Sequence, residues 1–131
     1  MRPPWGMLPL RLVVGLIFAV HGGQKLFGFG LAGTAGFLGS LGIPLPMLAA
    51  TVLIGVELLG GLALLAGAWT RIVAAALAAD MLVAILTIHA HGGFFVPHGV
   101  EFVLTLFAAC LTLAALGAGA LSVDGAWERA T

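Results

Sequence analysis

Residues 10–27 read "LRLVVGLIFAVHGGQKLF", an apolar run that ends on a histidine and a lysine. A helix crosses the hydrocarbon core in roughly 20 residues, and this run reaches that length when extended to Phe29. Reading it as a membrane span or as a soluble core helix decides the fold. The remainder of the chain settles the choice. Of 131 residues, 62% are hydrophobic and 8% are charged, with a mean hydropathy of +1.22. A soluble domain of this size would need far more charge to cover its surface. Lipid is therefore the solvent for most of the chain.

Three further stretches meet the same length. Hydropathy predicts spans over residues 10–29, 47–66, 70–90 and 102–121, giving an all-α fold, a four-transmembrane-helix bundle, in a single domain over residues 1–131. The start resembles a secretory leader in having basic residues before an apolar stretch. No small-x-small cleavage site precedes a polar region, so it reads as a retained helix.

Basic residues orient the bundle. Arg2, Arg11, Arg71 and Arg129 fall on one side and Lys25 alone on the other. That asymmetry predicts both termini in the cytoplasm. Trp5, Trp69 and Trp127 fall at helix ends on the same side, as interfacial anchors do.

The connections differ in kind. "AGAWT" is a tight inner turn between the second and third spans. "GFGLAGTAGFLGSLGIPLP" reads as a short amphipathic outer helix between the first and second, stopped by Gly42 and Pro44. The outer loop "HAHGGFFVPHGVE" carries His89, His91 and His98 and no basic residue. Gly60 and Gly61 suit close helix approach.

Ionisable residues inside a membrane are costly and usually face the bundle interior. Glu57 lies about ten residues from either end of its span, near mid-membrane at roughly 1.5 Å per residue. Asp80 lies at similar depth in the third span. Two carboxylates there need a shared proton, a cation or hydrogen-bond donors. Glu57 reads equally as a ligand-orienting or proton-handling group and as an interhelical tie; Asp80 and Arg71 read as structural polar groups. His21 and Lys25, four residues apart, share a helix face. Glu101 opens the fourth span, where a helix amino terminus favours a carboxylate. Inward faces would gather His21, Lys25, Glu57, His89 and Glu101 in the outer half, with Lys25 and Glu101 at its mouth, paired with each other or through a ligand.

Other chemistries are weaker readings. The loop histidines with Glu101 meet no fixed metal-ligand spacing. A haem between His21 and a third-span histidine is allowed by depth alone. Cys110 is the single cysteine, so the chain alone carries no dithiol chemistry. A formal net charge of zero gives no sign of a nucleic-acid partner.

The ordered motifs "HGGQKLFGF", "GFLGSLGIP", "ELLGGLALLAGAWTRIVA", "MLVAI", "GFF", "GVEF" and "GAGALSVD" resemble the DoxX family of small bacterial membrane proteins, over residues 11–124. The resemblance implies a four-helix membrane protein. The family's namesake is a small subunit associated with a terminal quinol oxidase and with thiosulfate:quinone oxidoreductase, and relatives are linked to membrane redox complexes and thiol stress. The family's basic position after the first helix falls on Lys25, its second-helix glutamate on Glu57, and its loop signature on Gly93, Phe94, Phe95 and Glu101. His91 and His98 have no assigned place in that pattern.

Three functions stay open at this point. One is a redox-complex subunit holding a quinone or similar molecule by His21, Lys25 and Glu57, with Phe94 and Phe95 covering it. Its electrons would come from a partner subunit or a bound cofactor. The second is a proton-coupled transporter of a small solute. The third is a ligand-free scaffold. A homo-oligomer is compatible with each.

Overall fold

A computed structural model describes residues 4–131; Arg2, counted above among the basic residues of one side, lies outside them. The described residues form helices and no strand. The first apolar stretch builds α1, Met7–Gly23. It continues as a π-helical segment, Gln24–Phe29. Gly30, at φ 76°, then turns the chain into α2, Gly30–Ser40. After a turn through Gly42 comes α3, Pro46–Ala66, with proline in its first turn, where the missing N–H costs nothing. Gly67 ends α3 in the left-handed region at φ 70°. A short turn leads to α4, Thr70–Ala84, prolonged by a π-helical segment Ile85–His89 and a 3-10 turn Ala90–Gly92. A loop precedes α5, Glu101–Leu116, and the chain closes with α6, Val123–Ala130.

Among the described residues, three helical runs are long and apolar enough to cross a membrane: Met7–Ser40, Pro46–Ala66 and Thr70–Gly92. The fourth expected span is a shorter apolar helix. The sequence reading carried it to residue 121, but Gly117 at φ 85° stops α5 at Leu116. At roughly 1.5 Å per residue its 16 residues are shorter than the hydrocarbon core. α5 nevertheless runs from one end of the molecule to the other. Its Val103 and Leu106 pack beside Phe18 of α1, and its last carbonyls, those of Ala114, Ala115 and Leu116, accept hydrogen bonds from Arg71 in the first turn of α4.

The helices pack by two different means. Phe18, Leu64, Leu77, Leu113 and Cys110, all within 1% of complete burial, fill the centre toward the end that holds both termini. This is called the terminal end below, and the other the loop end. α1 and α3 instead meet through small residues. A Cβ at Gly61 would stand 2.7 Å from the Gly15 carbonyl oxygen, and one at Gly22 only 2.5 Å from the Leu58 nitrogen. In lipid no hydrophobic force drives two apolar helices together, so such backbone contact carries much of their association. Side chains on the outward faces, such as Val13, Leu59 and Ile72, are more than half exposed, as a lipid-facing surface requires.

The segment read as an amphipathic surface helix is α2. Its Ala35 and Leu38 are buried against Ala50 of α3, so it lies folded onto the bundle. Thr34 faces inward too, its hydroxyl donating to the carbonyls of Lys25 (3.2 Å) and Gly30 (2.9 Å).

The terminal end is tied by polar groups. The Asp124 carboxylate accepts from the backbone N–H of Trp69 (2.7 Å) and Thr70 (2.9 Å), capping α4 from 54 residues away. Ser122 caps α6 by accepting from the Gly125 N–H at 3.1 Å. Arg11, 1% exposed, donates to the carbonyls of Leu121 (2.9 Å) and Ala120 (3.4 Å). The Trp69 and Trp127 rings stack at 5.4 Å. Trp5, Trp69 and Trp127 are all about half exposed or more.

Candidate functional site

The glycine seam between α1 and α3 determines what happens next along those helices. With the two backbones in contact at Gly22 and Leu58, the next side chains toward the loop end cannot avoid each other. The Lys25 ammonium meets the Glu57 carboxylate at 2.7 Å. Glu57 is nearly sealed, with 4% of its side chain exposed, against 24% for Lys25. Lys25 sits in the π-helical segment. A π-turn holds more residues per turn than an α-turn and is frequent at functional sites. The same device recurs across the bundle, where the π-helical segment after α4 carries Thr87 and His89.

Asp80 completes a triad. It stands close enough to Glu57 and Lys25 to feel their charges, and its Oδ2 is buried with no partner. The His89 Nδ1 is likewise buried and unpartnered. Such a triad can both donate and accept hydrogen bonds.

These groups border a cavity of about 820 Å³ at the loop end. Its polar wall is His21, Lys25, Thr34, Glu57, Asp80, Thr87 and His89; the rest is mainly apolar side chains of α1–α5. That volume lies within the range of small-molecule sites, and an apolar chamber with a few convergent polar groups is their usual make-up. Toward the terminal end the chamber stops on buried Phe18.

The structure brings four of the sequence-predicted ligand residues together here: His21, Lys25, Glu57 and His89. It adds Asp80, which the sequence reading treated as structural. Glu101, Phe94 and Phe95 are not among the lining residues. The Glu101 carboxylate instead accepts from the Val96 N–H at 3.0 Å, and the Glu101 N–H donates to the Phe94 carbonyl at 2.9 Å. Glu101 is thus committed to its own loop, and the direct Lys25–Glu101 ion pair expected from sequence is not formed; Lys25 pairs with Glu57. Phe94 and Phe95 stack edge to face at 5.3 Å and stand well exposed. Arg71 serves the α5 carboxyl terminus, as above. Among the described residues no three His, Cys, Asp or Glu side chains converge as a metal site. The sequence reading missed the burial of Arg11, although an arginine one turn into an apolar span carries the same signal that marked Glu57.

Residues 6–90, which hold α1 to α4 and every polar group of the cavity wall, match the DoxX family model. The chain belongs to the DoxX family. It is 37% identical over 119 residues, 91% of this chain and 84% of the relative, to a Bacillus subtilis (strain 168) protein named "Putative oxidoreductase CatD". It is 32% identical over 124 residues, 90% of this chain and 87% of the relative, to "Inner membrane protein YphA" of Escherichia coli (strain K12). An uncharacterized Haemophilus influenzae protein is 31% identical over 92% of this chain and 90% of its own length. No solved structure matches. With its membrane-length helices, this DoxX protein is a multi-pass membrane protein.

Proposed function

We propose that this DoxX protein is a small subunit of a quinone-linked redox complex, and that its loop-end cavity holds the head group of a quinone or similar small molecule. The observation that carries the reading is the buried polar wall: an ion pair, a second carboxyl and two imidazoles converging on one apolar chamber. Asp80 and His89 stand on the lining with Lys25, which suits a ligand with polar atoms on both sides of a ring. The Lys25 ammonium has donors left over after Glu57 takes one, and the triad can hold or release a proton beside the ligand. A quinone, when bound, would supply the electron chemistry; the residues orient it and exclude water. A partner subunit would exchange electrons with it. The oxidoreductase name of the Bacillus relative supports the redox link. The packed terminal half favours a binding site over a transport path.

In this reading α5 and its flanking segments form a fourth span, residues 1–131 act as one domain, and the termini face the cytoplasm of the inner membrane. The test is binding of decylubiquinone to purified protein by equilibrium dialysis. Wild type should bind, and Lys25→Met and His89→Ala should bind at least roughly tenfold more weakly, the loss of one charged hydrogen bond. Equal binding by all three would contradict the proposal.

A further inference from the structure

The α3–α4 hairpin is closed at one end and open at the other. Near its turn, Gly60 of α3 lies in ordinary contact distance of Val73 and Leu77 of α4, where a Cβ would meet them at 3.4 to 3.5 Å. Toward the loop end Glu57 of α3 and Asp80 of α4 both line the cavity, and from about that level the two helices supply its walls. On α3 the wall includes Leu48 and Val52, 59% and 55% exposed; on α4 it includes Ala79 and Val83, also exposed. A side chain that both lines a cavity and stands exposed marks an opening. These residues lie on membrane-length helices, so the opening faces lipid. The opposite seam, between α1 and α5, is bridged at this level by the His21 and Phe102 rings, 6.5 Å apart.

The chamber is therefore graded. Its floor offers donors and acceptors with balanced charge. Its open side is apolar, and from Glu57 to Leu45 it extends about 18 Å along α3 at roughly 1.5 Å per residue. We infer that the cavity is loaded sideways from the bilayer, through the gap between α3 and α4, by an amphiphile with a neutral polar head and one flexible apolar tail. The head seats on Lys25, Asp80 and His89. The tail lies along Leu48, Val52, Ala79 and Val83 and reaches into lipid. An ionic head is disfavoured because the ion pair already balances the floor, and an added charge there would stay buried without a counter-ion. This rests on the ligand site proposed above and names its ligand class and route of entry.

The experiment uses two photoactivatable probes in nanodiscs containing the full chain, a quinone and a long-chain alcohol, each with a diazirine in the tail. Both should give adducts on Val52, Ala79 or Val83, found by peptide mass spectrometry. The double variant Val52→Trp/Ala79→Trp, which fills the gap, should lower those yields at least roughly tenfold, since the tail's apolar contacts are lost. The matched bulky pair Val13→Trp/Ile72→Trp, on exposed faces away from the cavity, should leave the yields within about twofold of wild type. Adducts from the alcohol alone would keep the portal and remove the quinone reading. Adducts of both probes confined to the loop at residues 93–100, or unchanged yields in the double variant, would overturn lateral entry while leaving the quinone reading intact. No adduct on any cavity residue from either probe would overturn both.

Discussion

The Lys25 Nζ and the Glu57 Oε2 are 2.7 Å apart across a helix seam in which glycine backbone touches backbone. The seam and the ion pair explain each other. Without Gly22 and Gly61 the helices would stand farther apart, and without a partner Glu57 would be an uncompensated charge in lipid. Removing one member should therefore cost more than removing both. Lys25→Met is expected to destabilise by about 3 kcal/mol, and Lys25→Met/Glu57→Met by clearly less than that single change. Unfolding in mixed micelles, across the complete mutant cycle, reads this directly. Additive losses would show that the pair has no coupling.

Glycine should matter at the seam and not elsewhere on the same helix. Gly61→Val forces atoms into the Gly15 carbonyl and Ala19. Overpacking of that kind costs about 1–3 kcal/mol. Gly55 has open space around it, so Gly55→Ala should be neutral or stabilising by up to about 1 kcal/mol through helix propensity. The contrast between the two, measured by the same unfolding assay, is the check.

At the terminal end, Asp124→Ala should cost about 1–2 kcal/mol, because the amino terminus of α4 loses its acceptor for two backbone N–H groups. Asp124→Asn keeps one acceptor oxygen and should recover part of that. A shift in melting temperature that is the same for both variants would argue that charge alone matters there.

For the topology, a cysteine at Ala32 should react with a membrane-impermeant maleimide in intact cells, and one at Ala130 only after lysis. Native Cys110 is fully buried and gives no background. The reverse pattern would invert the proposed orientation.

Much of the architecture was legible because each apolar stretch stops at a residue with a backbone reason to stop: Gly30 after the first, Pro46 before the second, Gly67 between the second and third. The fourth stretch was over-read, since hydropathy runs on through Ala118 and Ala120 while the backbone breaks at Gly117. The π-helical segments were invisible, as nothing in "QKLFGF" or "ILTIH" differs from α-helical composition. The site was legible where an ionisable group sits in an apolar span, as at His21, Lys25, Glu57 and His89. At Glu101 the sequence did not show the local hydrogen bond from the Val96 N–H, five residues away, which holds the carboxylate in its own loop. Asp80 was placed at the correct depth, but its contact with Glu57 depends on helix rotation, which spacing on one helix cannot fix. α6 was not foreseen; Ser122 as its cap was the available signal.

The central claim is that the triad of Lys25, Glu57 and Asp80 floors a ligand site that draws an amphiphile from the membrane. Native mass spectrometry of the protein released directly from membranes tests it most directly. Wild type should carry one small lipid-soluble molecule per chain, and Glu57→Gln, which removes the ion pair with Lys25, should carry it at much lower occupancy. A wild-type chain that emerges without any such molecule, or a Glu57→Gln chain that retains it fully, would contradict the account.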